Sequence, residues 1–143
     1  MARYKDEVAV AAITPHLQDG ERLVNFAYGV KQPHIGLIIG LCALAVLPGV
    51  IAVALLTKEY LVALTDRRFV VLRVKGGKAE VLEVLEYDRD AMPAVEAKTG
   101  GLFTHIRIRD DAKPFIAKFH RMGMKENRRH CQEIEAALAG AAA

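Results

Sequence analysis

Histidine, cysteine, aspartate and arginine supply the side chains in this sequence that could do chemistry, and their spacing argues against most of it. His16, His34, His105, His120 and His130 show no metal-ligand spacing. His120, His130 and Cys131 would meet only if the C-terminal segment folds back on the preceding strand. No carboxylate or second cysteine joins them at useful separation, so neither a metal nor any other cofactor is expected. Asp66-Arg67-Arg68 has the composition of a catalytic cluster, but a turn-stabilising aspartate beside two solvated arginines explains it as well. Gly76-Gly77 lacks a following Lys-Ser/Thr and so is not a phosphate loop. Serine is absent from the chain, which removes a serine nucleophile, and Cys42 lies in an apolar run where no exposed thiolate forms. A hydrolase-like enzyme would need a polar pocket that these residues do not supply. The expectation is a protein without enzymatic activity.

The elements that would position any site begin with that apolar run. Between Gln32 and Thr57 there is no Asp, Glu, Lys or Arg. Its core, Ile35 to Leu56, would be roughly 33 Å long as one helix, about the thickness of a hydrocarbon core. Thirteen of those residues are Leu, Ile or Val, which favours insertion by roughly 4–8 kcal/mol before the costs of Pro and Gly. The membrane segment is carried by Ile35, Leu37, Ile38, Ile39, Leu41, Leu44, Pro48, Gly49, Ile51 and Leu55. Length alone favours a single spanning helix kinked at Pro48. The alternative is a hairpin bent at Pro48-Gly49 that dips into one leaflet. Ala52-Val53-Ala54 resembles a signal-peptide cleavage site, but the partly acidic leader before the run is far too long. Gly36 and Gly40 are spaced to let two helices approach closely and dimerise, as are Ala45 and Gly49. His34 is expected at the bilayer edge.

The remainder follows a different rhythm. Residues 2–13 suit a short Ala/Val helix ending near Pro15, and Glu21–Lys31 a strand after the Gly20 break. Period-two runs then mark strands at Glu59–Leu64, Arg68–Val74, Ala79–Tyr87, Ala94–Lys98, Leu102–Arg109 and Phe115–His120. Thr65-Asp66-Arg67 and Lys75-Gly76-Gly77-Lys78 make the tight turns. Lys125–Ala139 reads as a helix with Met124, Cys131, Ile134 and Leu138 on one stripe, followed by a frayed tail at 140–143. The fold class is therefore α+β: about seven antiparallel strands in a barrel or sandwich, capped by a C-terminal helix, plus an apolar helical segment.

Gly20-Glu21-Arg22-Leu23 resembles the opening of bacterial pleckstrin-homology-like (PH-like) domains. Tyr60 to Val74 is similar to their recurrent strand-turn-strand hairpin, with Thr65, Asp66 and Arg68 in the matching places. The resemblance covers residues 20–139, with 1–19 as a helical leader and 35–56 as an insertion after the first strand. It implies a non-catalytic module that binds lipid headgroups or a protein partner and is often attached to a membrane segment. Phosphoinositide specificity does not carry over, because the apolar run replaces the basic loop that would supply it.

Net charge is +3, and all of it lies after the apolar run, since residues 1–34 carry four basic and four acidic groups. That is too mild for nucleic acid and suits anionic lipid. Lys58, Arg67, Arg68, Arg73, Lys75 and Lys78 follow the run, and each could add about 1 kcal/mol of attraction to headgroups if several share a face; an ordinary solvated sheet face is the alternative. The expected picture is a membrane-anchored PH-like module with its barrel in the cytoplasm, where Cys42 and Cys131 stay reduced. A soluble oligomer that buries Ile35–Leu56 between subunits is the rival.

Overall fold

The computed structural model describes residues 4–31 and 35–142, with backbone alone at 35, 54 and 139–142. His34 lies outside the described residues. Seven strands form one antiparallel sheet: β1 (Leu23–Lys31), β2 (Lys58–Thr65), β3 (Arg68–Lys75), β4 (Glu80–Asp88), β5 (Ala94–Thr99), β6 (Phe103–Arg109) and β7 (Phe115–His120). Their order is β4-β3-β2-β1-β7-β6-β5, so β1 joins the two halves. Around the sheet lie α1 (Asp6–Ile13), α2 (Ile35–Leu44), α3 (Val46–Leu56) and α4 (Asn127–Ala142). All seven strands fall within a few residues of the ranges the alternation predicts.

Two kinds of strand reflect two kinds of burial. β5, β6 and β7 alternate between core and water, which is why their sequences alternate. β2 and β3 are covered on both faces, which is why YLVAL and FVVL are nearly unbroken apolar runs. On one face Val62, Leu64, Phe69 and Val71 join Ile106, Ile108 and Phe119 beneath Cys131, Ile134 and Leu138 of α4. On the other, Leu61, Ala63, Val70 and Leu72 pack with Ala9 and Ile13 of α1 and with Tyr4. The N-terminal segment is thus part of the core. Met124 is buried as its spacing predicts, but in this second cluster and not on the α4 stripe. Glu126, at φ 57°, lies in the left-handed region, so α4 starts at Asn127 and not at Lys125. It then runs to Ala142, past the predicted end at Ala139.

The single spanning helix is not what forms. The apolar run breaks at Ala45, which is extended (φ −162°, ψ 124°), into two helices of 10 and 11 residues. Among the described residues no helix is long and apolar enough to cross a membrane. Pro48 explains where the break falls. A continuous helix would need an N–H at position 48 for the Leu44 carbonyl, and the proline ring would clash there. Breaking three residues earlier puts Pro48 in the first turn of α3, where a missing N–H costs nothing. Leu41 O accepts from Ala45 N at 3.3 Å to end α2, and Ala45 O accepts from Gly49 N at 2.8 Å to begin α3. The bend therefore precedes Pro48-Gly49. It is also required from outside, because β1 pairs with β2 along its length, down to Lys31 opposite Lys58.

At the other side of β1, the registered pair to β7 among the described residues is Val30 opposite Lys118. Buried Asn127 adds a further link. Its Oδ1 accepts from Tyr28 N at 2.9 Å, and its Nδ2 donates to Tyr28 O at 3.0 Å and His120 O at 2.7 Å. One amide thus ties the two sheet halves to the start of α4. Asn127→Ala should cost about 2–4 kcal/mol, since it strands several buried backbone groups at once. Urea unfolding measures this, and a loss under about 0.5 kcal/mol would mean that the clamp is redundant.

Candidate functional site

The largest chemical anomaly on the surface is the α2–α3 hairpin. The two helices pack chiefly against each other. Gly49 is the contact that allows it, because a Cβ there would sit 2.5 Å from Leu41 O. Gly40, by contrast, has open space around it, and Gly36 is exposed. The packing glycine within the hairpin is therefore Gly49, the second member of the Ala45/Gly49 spacing. Leu37, Ile39, Pro48 and Ile51 are exposed, and Ile38 and Leu41 are partly covered. Exposure peaks at the tip and on the outer arm, at 85% for Leu44, 73% for Val46, 71% for Leu47 and 80% for Leu55. A helix pair that is apolar all round needs protein or lipid against it.

The root of the hairpin is basic. Lys31 and Lys58 are cross-strand neighbours where the chain enters and leaves the apolar run. Lys75 ends β3 at the same edge, and Gly76, at φ 79°, turns the chain through Lys78 into β4. Lys31, Lys58, Lys75 and Lys78 are exposed, and Arg73 is half-buried. Acidic groups lie among them: Glu83 pairs with Arg73 at 3.9 Å, Glu80 faces Lys75, and Glu59 accepts from the Tyr28 hydroxyl at 2.7 Å. A groove of about 580 Å³ separates hairpin from sheet, between Leu55, Lys58, Arg73 and Lys75. A second hollow of about 290 Å³ lies between Lys31, Lys58, Tyr60, Arg73 and Lys113.

Arg67 and Arg68 do not belong to this group. They sit in the β2–β3 turn, seven residues and roughly 23 Å along the strands from the hairpin. Arg67 is exposed there and Arg68 is buried, so of the six headgroup-facing candidates these two lie away from the edge where Lys58, Arg73, Lys75 and Lys78 gather. Arg68 instead holds Glu21 in a two-pronged pair, with Nη2 at 2.6 Å from Oε1 and Nε at 2.9 Å from Oε2. Its Nη1 reaches Glu86 at 2.7 Å, and Nη2 also donates to His16 O at 2.9 Å.

Thr65 and Asp66 complete the arrangement. The Thr65 hydroxyl donates to Glu21 Oε2 at 2.7 Å and accepts from the amides of Arg67 and Arg68, at 3.1 and 2.8 Å. Asp66 Oδ1 accepts from Arg22 N at 3.0 Å, and Asp66 N donates to Arg22 O at 3.1 Å. The Gly-Glu opening and the Thr-Asp-x-Arg turn are thus two halves of one structural contact. Sequence reading found both motifs but not their pairing, since 47 residues separate Glu21 from Arg68 and no periodicity links them.

The other chemical candidates disperse. Cys131 is fully buried in the core, and burial pushes its thiol up to about 12. His130 places Nδ1 3.0 Å from Phe26 O, and His120 Nδ1 accepts from Met122 N at 3.0 Å. Among the described residues, no group of three His, Cys, Asp or Glu side chains is placed to hold a metal ion.

A seven-stranded antiparallel sheet closed by a C-terminal helix is the arrangement expected from the resemblance. The fold is PH-like. Among solved structures, the hSac2 domain from the human phosphoinositide phosphatase Sac2 matches at TM-score 0.50 and 10% identity, over 94% of this chain and 79% of that one. A pleckstrin homology domain from Shewanella amazonensis SB2B matches at TM-score 0.47 and 14% identity, over 93% and 94%. A DUF1696 family protein with a pleckstrin-homology domain from Shewanella loihica PV-4 matches at 0.47 and 11%, over 96% and 92%. At such identities the likeness concerns fold alone. No protein-family model matches the sequence, and neither does any curated protein.

The Glu21 contact has a measurable pH signature. The hydrogen bond from Arg68, which outweighs burial, lowers the carboxyl from its ordinary 4.5 to about 2. A carboxylate lowered on folding stabilises the fold fully above its unfolded value and loses that contribution as pH falls through the folded one. Glu21→Gln should therefore cost about 2–4 kcal/mol at pH 7, and the gap to the parent should close between about pH 4.5 and pH 2. Urea unfolding across that range checks it. A gap that stays constant down to pH 2 would show that the carboxylate charge is not what stabilises the turn.

Proposed function

We propose that this protein is a non-enzymatic interaction module of PH-like fold, held on a membrane by the α2–α3 hairpin, with its barrel on the cytoplasmic side. The observation that carries the reading is the run of exposed apolar residues at the hairpin tip, Leu44, Val46 and Leu47, which sheet and α4 leave uncovered. Water is a poor solvent for such a surface, and burial of its Leu, Ile and Val side chains is worth roughly 0.3–0.6 kcal/mol each on an insertion scale. The basic edge formed by Lys31, Lys58, Arg73, Lys75 and Lys78 supports a bilayer as partner, because it sits where headgroups would lie if the hairpin were immersed. Its charge is offset in part by Glu59, Glu80 and Glu83, so apolar burial carries the attachment and electrostatics tune it. The reduced, buried thiol of Cys131 suits a cytoplasmic barrel. In this reading the barrel's remaining surface serves a lipid headgroup or a protein partner.

The full chain should pellet with membranes and stay there through high salt and alkaline extraction. Leu44→Lys with Leu47→Lys places two charges at the tip, each costing about 2.5–3.5 kcal/mol deep in hydrocarbon, and should move the protein to the supernatant. A parent protein released by salt alone would contradict apolar anchoring. A monodisperse assembly in plain buffer without lipid would contradict it too, and would favour burial of the segment between copies of the chain.

A further inference from the structure

We infer that the hairpin is a one-leaflet wedge and that its preferred partner is a strongly curved, loosely packed bilayer surface. The inference rests on the membrane reading above and adds what kind of membrane the site selects. Three observations carry it. The arms of 10 and 11 residues are roughly 15 and 16 Å long, about half of a 30 Å hydrocarbon core. Lys31 and Lys58 face each other at the root, so both arms start at one headgroup level and the chain returns to the side it left. The tip is apolar and uncovered, since Leu44, Val46 and Leu47 flank the extended Ala45 and leave no polar side chain to be drawn back toward water.

Two helices side by side, each about 10 Å across, occupy roughly 200 Å² of membrane area. A hairpin of half-membrane depth adds that area to one leaflet and none to the other. A spanning helix adds equally to both. The one-sided expansion costs least where the receiving leaflet is already splayed, on the outside of a tightly curved vesicle, and most on a flat bilayer. Interfacial insertion is sensitive to curvature for this reason. The basic root sharpens the geometry by fixing depth: Lys31, Lys58 and Lys75 hold the root among headgroup phosphates and stop the hairpin from sliding deeper.

The test uses the full chain, synthesised in a cell-free reaction. Vesicles about 30 nm and about 400 nm across, of one phosphatidylcholine–phosphatidylserine composition and equal lipid mass, are present together. After separation by size, the small vesicles should carry several-fold more protein per lipid. Equal loading, or a preference for the large vesicles, overturns the wedge while leaving membrane anchoring intact. Absence from both populations overturns the wedge and the anchoring together. Leu44→Lys with Leu47→Lys controls for the tip, and a size preference that survived in this variant would also count against the inference.

Discussion

The pairing of β1 with β2 is the constraint from which the rest of the molecule follows. Adjacent antiparallel strands hold Lys31 and Lys58 about 5 Å apart, so everything between them must leave and return at one edge of the sheet. An uninterrupted helix of the same residues would separate its ends by about 33 Å and tear β1 from the ladder. The sheet therefore decides the shape of the apolar run. Pro48 decides where it folds, and Gly49 lets the arms close on each other. The hydrophobicity that the sheet cannot cover is displaced to one projecting element, beside a row of lysines that the same strand ends supply.

At the far end of those strands a second contact fixes how β1 enters the sheet. Glu21, Thr65 and Arg68 bind one another in a nearly dry site, and Asp66 exchanges two hydrogen bonds with Arg22. A buried ion pair of this kind contributes little net stability against an apolar replacement, but it is costly to break from one side. Here it joins the entry to β1 to the β2–β3 turn, ahead of the register shift between Leu23 and Asn25. The two ends of the strand act together. The polar clasp holds its entry and the apolar hairpin projects from it, with Asn127 joining the opposite side of β1 to β7 and α4.

Local features were legible from sequence, and relations across the chain were not. Alternation marked β5, β6 and β7, and Cys131, Ile134 and Leu138 marked the buried stripe of α4, because one-sided burial writes its period into neighbouring residues. The same logic is silent about partners far apart. Nothing near Arg68 announces Glu21, so Arg68 looked like a solvated cation and was placed with the lysines it does not join. Nothing near Asn127 in the sequence marks it as the clamp on Tyr28 and His120. The unbroken apolar runs of β2 and β3 require cover on both faces, but the Ala/Val segment before Ile13 carries no strong period to name it as the cover over Leu61 and Leu72. Length misled as to the apolar run, because twenty-two uncharged residues satisfy a spanning helix and a folded hairpin equally. Only the strand pairing on either side distinguishes the two.

That pairing can be measured directly in the protein mixed with lipid vesicles. Spin labels at Lys31→Cys and Lys58→Cys, with Cys42→Ala to leave buried Cys131 as the remaining native thiol, report the separation of the hairpin's two roots directly. Adjacent strands predict label distances under about 20 Å, allowing for the reach of the label arms around a backbone spacing near 5 Å. A distribution centred beyond about 30 Å would mean that the segment crosses the bilayer as one helix and that β1 has left the sheet.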